Sequence, residues 1–293
     1  MKRRENADRR PSPMFPREWR LKLRARTDTE RLDWFIRTLV AHLGETVHNP
    51  RTLAPEDAEV FVVATAWMRR ALSYSRAVSL LIAHDEIEAT PPVERALLEV
   101  VAELAYLIRH GDPRENAARV RAAAAFEYYA FAVEQGYDRA SAAFREAEEL
   151  VERRRREHPG MIAEMELARS KGRFHWSGLS RTRLGTIALG PTYRTIYGML
   201  SWDAHPVVTA LRDFSATETG ATFSREWLDD DAKDQLASRV GGTMVTIWAW
   251  YAETFGLETF PAAVRRRLRR VGRRDELFAG DAAEPGGRYL RVL

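Results

Sequence analysis

Thr90 to Gly111, "TPPVERALLEVVAELAYLIRHG", and the stretch that follows, Asp112 to Gly136, "DPRENAARVRAAAAFEYYAFAVEQG", decide the fold class. Each reads as a helix with its own start and stop. Thr90 offers a capping hydroxyl, Pro91 sits in a first turn where a missing N–H is tolerated, and Gly111 follows the last apolar residues. Asp112, Pro113, Glu115 and Gly136 repeat that grammar. With almost no chain between them, the two helices are expected to fold back as an antiparallel hairpin.

Outward from this pair, the pattern predicts helices at about Thr29 to Thr46, Pro55 to His84, Arg139 to Arg169, Ser180 to Leu189, Thr192 to Asp203 and Asp230 to Phe255. A final basic helix is expected at roughly Phe260 to Arg270. No window alternates with period two, and valines fall inside helix-length runs instead. The expected class is therefore all-α, a multi-helix bundle-like domain over residues 27–258. A flexible basic arm (1–26) precedes it, and a basic C-terminal helix (259–277) and a disordered tail (278–293) follow. "SATETGATFS", Ser215 to Ser224, reads as a surface loop.

A chain of 293 residues with 45% hydrophobic and 10% aromatic content can fill a sizeable core. The absence of cysteine excludes thiol catalysis, disulfides, iron–sulfur clusters and the usual structural zinc sites, and it suits a cytoplasmic protein. "MKRRENADRRPSPMFP" has no apolar run behind its charged start, so it is not a secretory signal. The most apolar stretch, Val60 to Met68, ends at Arg69 and Arg70, short of the roughly 20 residues that span a bilayer, so no membrane partner is expected. The net charge is +4 but unevenly spread. Residues 1–26 hold ten Lys or Arg against three acids, and Val264 to Arg274, "VRRRLRRVGRR", holds seven Arg and no acid; each end thus carries +7, which leaves the rest near −10. Basic ends on an acidic body fit RNA-contacting arms, or a protein partner bound through Arg265 to Arg274, or simply solubilising segments. A homodimer is compatible with the sequence. Only four of the basic residues are lysine, a bias read as that of a GC-rich bacterium.

Two stripes could carry chemistry. In the first helix, Arg95, Glu99 and Glu103 recur every four residues on an otherwise apolar surface. They form either the wet edge of the helix or a polar seam facing "YRTIYGMLSWDAHP" or the Arg69, Arg70 and Arg76 set. Glu99 and Glu103 lack the Glu-x-x-His partners of a bundle di-metal site, so neither metal nor cofactor is expected. In "YRTIYGMLSWDAHP", Tyr193, Tyr197, Ser201 and His205 lie four apart, within an arc of about 120° on a helix. They pack inward as core or converge on a ligand, with His205 as acid or base beside Arg194 and Ser201. "KGRFHWSGLSRTR", Lys171 to Arg183, adds His175 and Trp176 on a loop entering a helix, with Ser177 or Ser180 as its cap.

These segments together resemble a helical bacterial family of unknown function, DUF5677, in "AVSLLIAHDEI", "VERALLEVVAELAYLI", "HWSGLS" and "YRTIYGMLSWDAHP". The resemblance covers roughly Leu32 to Ala210. It implies Arg95 and Glu99 in the first half and Tyr193, Tyr197, Leu200, Ser201 and His205 in the second as the matching positions. Pro206 departs from the small residue expected after the histidine. More loosely, the chain is similar to HEPN helical proteins, which implies a metal-independent ribonuclease or other phosphodiester-acting effector of the stress or phage-defence type. Arg-(x)4–6-His spacings (Arg37 with His42, Arg153 with His158, Arg169 with His175) are no more frequent than chance provides. On that reading His205, Arg194 and Ser201 are catalytic, while Arg95, Glu99, Tyr193 and Tyr197 bind RNA or a nucleotide. The alternative is a non-catalytic ligand-binding or scaffold protein.

Overall fold

A computed structural model of the chain describes residues 28–48, 55–172, 175–203, 214–217, 220–223 and 230–257. The basic arm, the 260–270 helix, the C-terminal tail and His205 with Pro206 lie outside the described residues. The fold is all-α. Its helices are α1 (Asp28–His48), α2 (Pro55–Ala83), α3 (Thr90–Arg109), α4 (Pro113–Glu134), α5 (Ala142–Glu157), α6 (Pro159–Ser170), α7 (Arg181–Leu189), α8 (Thr192–Asp203) and α9 (Asp230–Thr254).

α3 is the central strut, packing against α2, α4, α7, α8 and α9. Its near-continuous apolar surface explains why: Leu97, Leu98, Val100, Val101, Leu104, Ala105, Leu107 and Ile108 are all buried, and a helix apolar on most sides needs neighbours on most sides. α2 shares the largest contact with it, and α1 and α9 close the other side of α2. One hydrophobic cluster runs from Leu32 to Leu257 through these helices, with Trp248, Tyr251, Met68, Leu104 and Leu107 among its fully enclosed side chains. α5 and α6 form an outer layer on α4.

The starts and stops follow the sequence in most places, with four departures from the expected organisation. Gly111 (φ 68°) and Gly136 (φ 65°) end α3 and α4 in the left-handed conformation, and Asp112 caps α4 by accepting from the Arg114 amide at 2.9 Å. Thr90, however, is not a cap: it opens α3 behind a 3-10 turn (Ile87–Ala89), and its hydroxyl donates to the Ile87 carbonyl at 2.7 Å. Pro91 and Pro92 remove two of the first-turn N–H groups, so there is less for a cap to satisfy. The expected helix from Arg139 to Arg169 is two helices, α5 and α6, because Pro159 holds His158 out of helical geometry (φ −140°, ψ 66°). α4 lies more along α2 than along α3, so the two form no extended hairpin. The expected loop at Ser215 to Ser224 instead contains a short antiparallel hairpin, β1 (Phe214–Thr217) and β2 (Gly220–Phe223), pairing Phe214 with Phe223 and Thr217 with Gly220. Four-residue strands are too short to show a period in sequence.

Candidate functional site: a polar seam between α3, α7 and α8

Residues 95, 99 and 103 fall on one side of α3, and that side meets α7 and α8. Arg95 Nη2 donates to the Tyr197 hydroxyl at 3.0 Å, and that hydroxyl donates to Glu99 Oε1 at 3.0 Å. Arg95 Nε reaches the same carboxylate oxygen at 3.2 Å, closing a three-membered circuit. The Arg95 guanidinium also lies 5.0 Å from the centre of the Tyr197 ring, where the ring face attracts a cation. From α7, Arg181 Nη1 approaches the other oxygen of Glu99 at 3.4 Å. Burial draws the Arg95 pKa down, but the facing Tyr197 and Glu99 more than offset this and leave it raised.

Behind the circuit, Tyr193 stacks on Tyr197 with centroids 5.4 Å apart and planes 18° apart. It is 1% exposed. Burial first, and then the facing Tyr197, Glu99 and Glu103, push its phenol well above the usual tyrosine range, with Arg181 opposing. The ring lies directly over Gly185 of α7: a Cβ there would stand 2.1 Å from a ring carbon. Glycine at 185 is thus what lets α7 and α8 approach closely enough to seat Tyr193.

One turn further along α3, Glu103 Oε1 is 3.5 Å from His175 Nε2. The Ser177 amide donates to His175 Nδ1 at 3.3 Å, and the Ser177 hydroxyl lies 2.8 Å from the same nitrogen. Because a backbone N–H can only donate, neutral His175 carries its proton on Nε2, aimed at Glu103. Trp176 beside it is buried against Trp67 (5.6 Å) and edge-on to Tyr106 (5.8 Å). The loop that leads into α7 is therefore pinned to α2 and α3, and Ser180 then caps α7 through the Arg183 amide at 3.3 Å.

The structure brings Arg95, Glu99, Tyr193 and Tyr197 together and shows that the stripe faces the second motif, not Arg69, Arg70 and Arg76, which are exposed on the outside of α2. Ser201 lies one turn beyond Tyr197; its hydroxyl is enclosed and makes no hydrogen bond among the described residues. Arg194 is exposed, adjacent to the inward Tyr193. His205 lies outside the described residues. Three contributors carry no sequence signal for the partner they meet. Arg181 is one residue of a basic run, and its partner is Glu99. His175 meets Glu103, which is distant in sequence. The third is Glu94, 6% exposed, which receives two hydrogen bonds of 2.8 Å from Arg239 of α9. Glu94 and Arg239 sit beside a small half-open cleft lined also by Leu97, Ile196, Leu200 and Val240. No local signal links two residues 145 apart in sequence. Among the described residues no group of three His, Asp or Glu is placed to hold a metal ion, and no helix is long and apolar enough to cross a membrane.

Residues 61–222 match a family of unknown function, DUF5677. The chain belongs to that family. No curated protein and no solved structure matches it. The matched span runs from the first turns of α2 to the end of β2, so all the seam residues, from Arg95 to Tyr197, fall inside the DUF5677 region, whereas α1 and α9 lie outside it.

Proposed function

We propose that this protein binds a small ligand bearing an anionic group at the seam and does not turn it over. The observation that carries this reading is Arg181. One of its nitrogens touches Glu99 at 3.4 Å, 59% of its side chain is exposed, and it has no second partner among the described residues. Behind it Arg95, Tyr197 and Glu99 already hold one another. A carboxylate or phosphate arriving at Arg181 would meet guanidinium donors on a wall that needs little reorganisation, which limits the entropic cost of binding.

Among the described residues of the seam, the groups that acid–base chemistry would need are held by one another. Both ring nitrogens of His175 face a neighbour, the Tyr197 hydroxyl both accepts and donates, and among the described residues the Ser201 hydroxyl has no hydrogen-bond partner that could act as its base. The test pairs two assays on purified protein. Calorimetry with inorganic phosphate and adenosine monophosphate is expected to show binding that Arg181→Gln abolishes. A labelled RNA pool incubated in EDTA is expected to stay intact. RNA cleavage by the wild type that disappears in an equally folded His205→Ala variant would overturn the reading in favour of a metal-independent nuclease, and absence of binding to either anion would overturn it as well.

A further inference from the structure

α2 turns a face outward that neither the core nor the seam uses. Val62, Arg69, Ser73, Arg76 and Leu80 are all exposed. At 100° per residue they fall within an arc of about 60°, along a length of about 27 Å. The two ends of this face are apolar, with Val62 52% and Leu80 51% exposed. The middle is cationic, with Arg69 and Arg76 on the face and Arg70 on its flank, where Nε donates to the Tyr74 hydroxyl at 3.2 Å and the guanidinium lies 5.9 Å from that ring.

Unpaired cations in this position contrast with the arginines on neighbouring surfaces. Arg114 is paired with Asp57, Arg119 with Glu164, Arg154 with Glu59 and Arg155 with Glu166. α2 carries no acid between Val60 and Ala83, and among the described residues no carboxylate pairs with Arg69 or Arg76. On a body otherwise rich in acids, this leaves a positive band framed by exposed valine and leucine. Apolar side chains set in line with charged ones at helical spacing are the pattern that meets another amphipathic helix.

We propose that this face of α2 docks an acidic amphipathic helix of a partner protein, about five turns long, which lays carboxylates over Arg69, Arg70 and Arg76 and apolar side chains over Val62 and Leu80. Ser73 at the centre is small enough for the two backbones to approach. A nucleic-acid backbone would use the three arginines but leave the valine and leucine at the ends without a counterpart. The face does not involve Arg181 or its neighbours, so this proposal and the seam-binding reading succeed or fail separately.

The test is fluorescence anisotropy on the full chain with three labelled probes: a helical peptide with leucines at its ends and glutamates along its middle, the same peptide with lysine for glutamate, and an oligouridine. The leucine/glutamate peptide is expected to bind saturably. The Arg69→Glu/Arg76→Glu variant is expected to weaken it about tenfold or more, and Val62→Ser/Leu80→Ser to weaken it about threefold or more. All four side chains are exposed, so melting temperatures should not change, and the lysine peptide should bind poorly. Failure of the leucine/glutamate peptide to bind, or equal affinity in the charge-reversed variant, overturns the proposal. So does a result in which the oligouridine alone loses affinity on charge reversal, which would assign the face to phosphates.

Discussion

Gly185→Ala tests the seating of α8 on α7 with a change of one methyl group. In the middle of a helix, alanine is favoured over glycine by about 1 kcal/mol, so on propensity alone the variant is more stable. The structure reverses that sign. A Cβ at 185 would lie 2.1, 2.2 and 2.5 Å from three atoms of the Tyr193 ring, a rigid group that is 1% exposed and stacked on Tyr197. The ring has to move by more than about 1 Å, and overpacking of this kind costs about 1–3 kcal/mol, with about 3–5 kcal/mol at stake if the ring is expelled from its site. The net expectation is destabilisation by about 2 kcal/mol or more, read as a fall in the urea midpoint at unchanged m-value. Gly198→Ala on α8 is the control, since nothing lies within 4 Å of its Cβ position; it should gain up to about 1 kcal/mol. Removing the ring should also restore the ordinary sign, so Gly185→Ala in a Tyr193→Ala background is expected to be neutral or stabilising. A Gly185→Ala single variant as stable as wild type would refute the close approach on which the site depends.

Two further perturbations address buried ionisable groups. Arg239→Met removes the bidentate partner of a carboxylate that is only 6% exposed. It is expected to cost about 3 kcal/mol at neutral pH in urea unfolding. At the alkaline end, burial pushes the Tyr251 phenol up to about 12, with the Thr65 hydrogen bond opposing, and raises Tyr193 as well. The unfolded chain loses these protons first, so stability is full below about pH 10 and falls above it by about 1.4 kcal/mol per pH unit per tyrosine. Urea unfolding at pH 9, 10 and 11 measures the slope, and Tyr251→Phe should roughly halve it.

Local rules made most of the helix grammar legible. Gly111, Asp112, Gly136 and Ser180 act through residues within a turn of themselves, so their roles are visible in the string. Arg95, Glu99, Tyr193 and Tyr197 were legible as two stripes because helical spacing alone places each set on one face. What the stripes meet was not legible. The pairing of Arg95 with Tyr197 spans 102 residues and that of Glu94 with Arg239 spans 145, and such distances are set by packing of the apolar faces around α3. Pro159 was visible, but helix-forming residues on both sides, the charged run 145–157 before it and Met161 to Ala168 after it, masked the break that it imposes at His158.

Glu94 and Arg95 are adjacent yet reach different neighbours, since successive residues on a helix point about 100° apart. Glu94 ties α3 to α9, while Arg95 and Glu99 tie it to α8 and α7. Only the second tie lies wholly within the residues matched to the family. A buried or half-buried ion pair is seldom more stabilising than apolar groups of the same shape, so stability alone gives little reason to place Arg, Glu and Tyr there. This argument can be tested with the triple variant Arg95→Met/Glu99→Leu/Tyr197→Phe, which keeps the volume and removes the polar circuit. If the seam serves a ligand, the triple variant folds with a melting temperature within about 4 °C of wild type, equivalent to roughly 1 kcal/mol, and no longer binds phosphate or adenosine monophosphate in calorimetry. A triple variant that loses its cooperative melting transition would make the circuit a clasp that specifies how α8 docks, and the ligand reading would then rest on Arg181 alone.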